Sequence, residues 1–377
     1  MTNIIGELKK NGQSIWYDNI ERKLLEDGTL AGMVERGEIR GITSNPSIFN
    51  NAISNSTDYD QEIESLTNEG FSREDVYEQL AVRDIQSAAD MFLPLYQETN
   101  GADGYVSLEV SPFLAHETEK TIQDAKKLWK MVNRPNLMVK IPATTEGLPA
   151  ITEAIAAGIN VNVTLIFSIT RYQAVMDAYL AGLEKRVQEG KEIGGIASVA
   201  SFFISRIDAK VDNQLTDLLP QSSDTDQKII NNLFGKAALA SGKLAFEAYE
   251  GLFGKEASRF ANLLQSGANK QRALWASTST KNPQYPDTMY VDQLIGPDTV
   301  NTIPPKTLVA FFDHGTVERS IDREVDEARL AFENLAMVGI DMEKVAEDLE
   351  TEGVKSFAVA FTSLLDSLQT RMEDFQS

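Results

Sequence analysis

The strongest constraint on the fold is a repeated alternation. Eight short runs rich in β-branched and aromatic residues occupy positions 14–18, 41–45, 104–110, 137–141, 160–167, 196–203, 272–277 and 299–303. Longer stretches with helical spacing lie between them, including 117–131, 170–189 and 229–250. Strand–helix alternation implies parallel pairing through right-handed crossovers. Eight such units predict an α/β chain folded as a single closed (β/α)₈ barrel. An open doubly wound sheet also fits the alternation. However, no run is followed by a G-x-G-x-x-G turn, so a dinucleotide-binding fold has little support. From Glu318 onward the pattern reads as all-helical, with apolar residues three and four apart over 319–338 and 354–375. The expected organisation is a barrel over 1–317, with C-terminal helices over 318–377 packed on it as part of the same domain. Positions 217–226 read as a surface loop by composition.

Composition narrows the function classes. The chain has 377 residues, 42% hydrophobic and 24% charged, which is ordinary for a globular protein. No apolar run reaches the ~20 residues that span a bilayer. The first residues lack the pattern of a secretory signal. There is no cysteine, so disulfides, thiolate zinc sites and cysteine nucleophiles are excluded. Two histidines, His116 and His314, are too few for a His-rich metal centre, although a carboxylate Mg²⁺ site is compatible with the composition. These features together point to the cytoplasm. The formal net charge of −21 disfavours nucleic acid and anionic membranes as partners. Any phosphate site must therefore rely on local arginine, lysine and backbone N–H groups.

Polar residues fall at strand ends with a spacing of two. Ser107 and Glu109 share a parity, as do Asn162 and Thr164; Thr43 and Asn45 close the second run and Asp18 the first. Lys140 stands out within the apolar run Asn136-Leu-Met-Val-Lys-Ile-Pro142. A lysine there either snorkels to solvent or is held in a dry site. In a dry site burial disfavours the ammonium, and the neutral amine is a nucleophile toward carbonyls. Active sites of barrels lie at the C-terminal strand ends, and a ring of inward-facing polar residues would produce this pattern. Lys140 with Asp18 and Glu109 would then supply an amine and two proton-transfer groups, the parts that Schiff-base chemistry requires. Amphipathic strands with solvated ends would give the same parity on any single strand. Trp16 and Trp275 lie inside strand runs and read as core, and the two histidines read as structural.

Six segments resemble the transaldolases, Schiff-base aldolases of the pentose phosphate pathway. They are Thr43-Ser-Asn-Pro-Ser-Ile-Phe49, Val106-Ser-Leu-Glu-Val-Ser-Pro112, Met138-Val-Lys-Ile-Pro-Ala-Thr144, Gly158-Ile-Asn-Val-Asn-Val-Thr-Leu-Ile-Phe-Ser168, Ala200-Ser-Phe-Phe-Ile-Ser-Arg206 and Ala276-Ser-Thr-Ser-Thr-Lys-Asn282. They occur in the family's order, and the extra C-terminal helices suit its longer bacterial subgroup. The resemblance implies a TIM barrel of the class I aldolase type, circularly permuted relative to other Schiff-base aldolases. It implies transfer of a dihydroxyacetone unit from a ketose phosphate to an aldose phosphate, with no metal or organic cofactor. It assigns Lys140 as the imine-forming nucleophile and Asp18 as the acid/base at the C4 hydroxyl. Glu109 and Thr164 are assigned to a catalytic water. Asn45, Asn162, Ser201 and Phe203 would line the dihydroxyacetone site, and Arg206, Ser279 and Lys281 would hold phosphate. Family members often carry arginine where Lys281 stands. The partners expected are phosphorylated sugars, with the chain acting as a monomer or homodimer. Two rivals remain at this point: an aldolase that releases dihydroxyacetone, and a barrel that binds a sugar phosphate without catalysis.

Overall fold

A computed structural model describes residues 4–254 and 258–376. Its centre is a closed barrel of eight parallel strands in chain order: β1 Gln13–Tyr17, β2 Gly41–Ile42, β3 Tyr105–Glu109, β4 Leu137–Pro142, β5 Val161–Ile166, β6 Ser198–Phe203, β7 Gln271–Ala276 and β8 Thr299–Ile303. Each run read from the sequence overlaps one of them, with ends shifted by at most three residues. The open-sheet alternative is excluded, because β8 pairs back on β1 from Gln13↔Thr299 to Tyr17↔Ile303. Alternation along β4 explains its composition. Leu137, Val139 and Ile141 are fully buried on the side of the flanking helices Thr118–Val132 and Gly147–Ala157, while Met138 and Lys140 have the opposite parity. Burying each of the three contributes about 1.5–3 kcal/mol, enough together to offset the several kcal/mol that a buried ionic pair costs.

The N-terminal end of the barrel is closed by charge. The Asp103 carboxylate accepts hydrogen bonds from Ser14 Oγ (2.7 Å), Arg40 Nε (2.7 Å) and Arg272 Nη1 (3.2 Å). Burial opposes its charge, yet Arg272 and Arg40 outweigh burial and hold this carboxyl below its usual range. These contacts tie β1 and β7 to the segments that lead into β2 and β3.

Three expectations need correction. The stretch 229–250 is two helices, Asp224–Asn231 and Ala237–Phe253. Between them Gly235 takes φ +68°, a left-handed conformation that favours glycine, and Asp212 Oδ1 accepts its N–H. The loop expected at 217–226 is largely helical: a helix runs to Leu218, and the Ser223 hydroxyl caps the next one by accepting from the Asp226 N–H. At the C-terminus, residues 318–324 are not helical, and the helices are Val325–Met337 and Met342–Gln376. The second begins well before Val354, because Asp341 Oδ1 accepts from the Glu343 N–H and the Val345, Ala346 and Leu349 face is buried. This 35-residue helix lies against the helices Pro46–Ser54, Asp60–Asn68 and Arg73–Glu98 and against β5. Among the described residues no helix is long and apolar enough to cross a membrane.

Candidate active site

The C-terminal strand ends converge on a cavity of about 180 Å³. Asp18 follows β1, Thr43 and Asn45 follow β2, Lys140 and Thr164 come from β4 and β5, and Ser201 and Phe203 come from β6. Arg206 lies in the first turn of the helix Ser205–Leu218, and Ser279 and Lys281 lie on the loop after β7. All these residues line the cavity. Glu109 and Asn162 do not, but strand register sets them beside Lys140: Glu109 is its partner on β3 and Asn162 its partner on β5.

Lys140 is only 5% exposed. Its Nζ donates to the Ser44 carbonyl at 3.0 Å and stands 3.6 Å from Glu109 Oε2, an ion pair without direct hydrogen-bond contact. The snorkelling alternative therefore fails for this lysine. Glu109 Oε2 and Thr164 Oγ1 are both buried without a hydrogen-bond partner. Buried polar atoms are rarely left in this state, so two of them near one amine mark a place for water or substrate. Burial pushes the Glu109 carboxyl up; Lys140 opposes the rise and the Asp18 charge adds to it.

Asp18 is partly buried, and burial raises its carboxyl as well. Thr43 Oγ1 donates to Asp18 Oδ1 at 2.7 Å, and Lys140, Lys281 and Arg206 also favour its charged form. Because the Thr43 proton is committed to Asp18, the Thr302 hydroxyl, 2.5 Å away, is the donor to Thr43. Asn162 is locked in orientation: its Nδ2 donates to Ser107 Oγ (3.0 Å) and its Oδ1 accepts from Ser201 Oγ (2.7 Å). Asn45 Oδ1 caps the helix Pro46–Ser54 by accepting the Ile48 N–H, which leaves its Nδ2 as the group it can offer a ligand.

Thr164 is aimed by a backbone irregularity. The β5–β6 register shifts between Val163 and Ile166, and Leu165 takes φ +60°. A left-handed non-glycine residue costs ~1–2 kcal/mol, so the surroundings must hold it. The helix Met342–Gln376 supplies that hold. A Cβ on its Gly353 would come within 2.9 Å of Leu165 Cδ2 and 3.7 Å of Arg206 Nη1. Phe357 of the same helix lines the cavity. The sequence reading missed Phe357 and Thr302. Nothing in the helical spacing of 354–375 could show where that face docks.

Arg206 and Lys281 form a cationic corner. Neither makes an ion pair among the described residues; Arg206 sits over the Phe203 ring at 5.3 Å, and Lys281 Nζ donates to Ser279 Oγ at 3.1 Å. Burial lowers both pKa values, and Arg206 lowers that of Lys281 further, so an anion here relieves both groups. The first turn of the helix Ser205–Leu218 adds its N-terminal dipole. Two tyrosines brace this corner: Tyr290 donates to Asp208 (2.7 Å) and Tyr285 to Asp212 (2.6 Å), tying that helix to the segment after Lys281. Burial pushes Asp208 up to about 6. A folded-state value above the unfolded one contributes stability below the unfolded value, and that contribution is lost as pH rises through about 6. Asp208→Asn is therefore expected to melt a few degrees above the wild type at pH 8 and no higher at pH 4, as thermal unfolding at the two pH values would show.

The histidines lie outside the cavity. His116 Nδ1 pairs with Glu146 at 3.1 Å, and His314, at the end of the helix Pro305–His314, pairs with Asp287 at 2.9 Å.

Comparison with known proteins agrees with this architecture. The family model described as Transaldolase/Fructose-6-phosphate aldolase matches residues 15–368. The chain belongs to this family. A protein named Transaldolase from Trichodesmium erythraeum is 45% identical over 99% of this chain and 98% of its own length. One of the same name from Saccharopolyspora erythraea is 47% identical over 97% of each chain. A Nostoc sp. protein named Transaldolase 2 is 45% identical, again over 97% of each. The activity is that of a transaldolase, a transferase.

Proposed function

We propose that the chain moves a dihydroxyacetone unit from sedoheptulose 7-phosphate or fructose 6-phosphate to glyceraldehyde 3-phosphate or erythrose 4-phosphate through an imine on Lys140, as a cytoplasmic enzyme of the non-oxidative pentose phosphate pathway. The observation that carries this reading is the nearly buried Lys140 amine beside the unpartnered Glu109 Oε2, at a barrel mouth that also holds a cationic corner. The Lys140 Nζ adds to the ketose C2 carbonyl. Glu109, its carboxyl raised by burial, protonates the departing C2 hydroxyl, and water leaves as the C=N bond forms. Asp18 takes the proton of the C4 hydroxyl. The C3–C4 bond then breaks, its electron pair passes into the iminium, and the aldose phosphate departs. The acceptor aldehyde re-forms the bond by the reverse steps, and hydrolysis of the imine frees Lys140. Arg206 and Lys281 hold the phosphate, the first as a planar fork and the second as a point charge.

Incubation with fructose 6-phosphate and erythrose 4-phosphate should yield sedoheptulose 7-phosphate and glyceraldehyde 3-phosphate. Free dihydroxyacetone as the main product would instead indicate an aldolase. Lys281→Ala should raise KM for phosphorylated substrates about tenfold, the loss of ~1.4 kcal/mol from one charge-assisted contact, with kcat little changed. An unchanged KM in steady-state assays would remove Lys281 from the phosphate site.

A further inference from the structure

Glu109 faces two ways. Its carboxyl stands 3.6 Å from the Lys140 amine, yet Glu109 does not line the substrate cavity. It lines a second cavity of about 260 Å³, which shares no lining residue with the first. This rear cavity lies between β3, the helices Arg73–Glu98 and Thr118–Val132, and the helix Met342–Gln376. Its polar wall includes Tyr77 and Asp124. The Glu109 and Asp124 charges both push the Tyr77 hydroxyl up, so the three groups are within electrostatic reach of one another. Its apolar wall is Phe361, packed edge-on against Tyr77 (ring centroids 5.0 Å) and Phe113 (5.4 Å). Phe113 is 53% exposed, which brings the rim of the cavity to the protein surface.

The space has room for several waters, since one needs only ~10–15 Å³ of this kind of volume and polar partners. Glu109 borders this space, and its buried Oε2 has no hydrogen-bond partner.

We infer that this rear cavity is a water passage serving the Glu109 carboxyl, so that water made or used in imine chemistry moves behind the substrate rather than past it. The inference rests on the proposed roles of Lys140 and Glu109. The step balances: the C2–O bond breaks, the oxygen leaves as water with a proton from Glu109, and the nitrogen lone pair completes the C=N bond. Hydrolysis runs the same exchange in reverse. A route behind Glu109 would spare water from moving past a sugar seated in the 180 Å³ mouth. A raised Glu109 carboxyl, which carries a proton over more of the working pH range, suits this role.

The test follows the fate of the released oxygen. Fructose 6-phosphate labelled with ¹⁸O at C2 is incubated with the enzyme in ordinary water, without acceptor. Loss of label is read by mass spectrometry, and imine formation is read in parallel by borohydride trapping. Ala81 lines the rear cavity, and Ala81→Leu fills part of it. Water trapped beside Glu109 in the variant returns to the same carbon, so label loss per imine formed should fall about tenfold. A merely structural defect lowers exchange and trapping in proportion. A proportional fall, or no change in the ratio, overturns the inference. If Ala81→Leu does not fold, Ala81→Val narrows the same space, with a smaller fall expected and the same overturning result. Absence of a Lys140 adduct in the wild type would instead sink the underlying mechanism, a result distinguishable from failure of the passage alone.

Discussion

Lys140→Met is expected to lower kcat by at least ~10⁴-fold and to abolish the borohydride-trapped adduct with fructose 6-phosphate, located by peptide mapping. The size follows from the loss of the covalent intermediate, which no neighbouring group can replace. Among the lining residues of the mouth the other amine is on Lys281, which is bonded to Ser279. The fold should survive. Methionine is a near match in length, and the position is enclosed by Ser44 and Glu109 rather than by a wider ion-pair network. The substitution leaves Glu109 without its cation, and truncating one partner of a buried pair is ordinarily costly. Here the carboxyl is already pushed up by burial and can take a proton, so the charge need not stay unpaired. The sign of the pH effect follows. A raised folded-state value means that stability from this group is whole below the unfolded value and is lost as pH rises through the folded one. The variant should therefore be destabilised more at pH 9 than at pH 6. An adduct elsewhere in the chain, or retained turnover, would refute the role of Lys140.

Asp18→Asn is expected to separate the two halves of the reaction. Imine formation at Lys140 should persist, while release of glyceraldehyde 3-phosphate from fructose 6-phosphate should fall by ~10²–10⁴-fold, the usual worth of one general base. Asparagine keeps the shape and still accepts the Thr43 hydrogen bond, so the change removes basicity rather than geometry. Burial raises Asp18, whereas Thr43 and the charges of Lys140, Lys281 and Arg206 favour its ionised form. Removing its charge leaves Arg206 and Lys281 with less negative charge nearby, so binding of the phosphate should hold or strengthen. Rapid-quench trapping alongside product release would measure both halves. Equal losses in adduct and product would place Asp18 before carbon–carbon cleavage and defeat its assignment.

The residues that line or border the mouth were legible because strands have a period of two. Glu109, Lys140, Asn162 and Thr164 share a parity on their strands, and the closed barrel turns that parity inward. Local polymer geometry carries this information, so eight strands and their C-terminal ends could be read one segment at a time. Helix ends were less legible. The break at Gly235 and the start at Met342 depend on backbone N–H groups donating to the Asp212 and Asp341 carboxylates, which spacing does not report.

By itself the sequence determined the strand–helix alternation, the eight strands, the exclusion of cysteine chemistry and the residue types at each strand tip. These follow from periodicity and composition, while closure of the sheet waited on the β8–β1 pairing. Only the tertiary structure decided that Lys140 does not snorkel, that Arg206 and Lys281 make no direct ion pair among the described residues, and that the helix Met342–Gln376 presses Gly353 on Leu165 and sends Phe357 into the mouth. It also opened the rear cavity behind Glu109. The physical reason is distance along the chain. Burial, pairing and cavity shape arise where segments hundreds of residues apart pack together, and no local pattern encodes which of them meet.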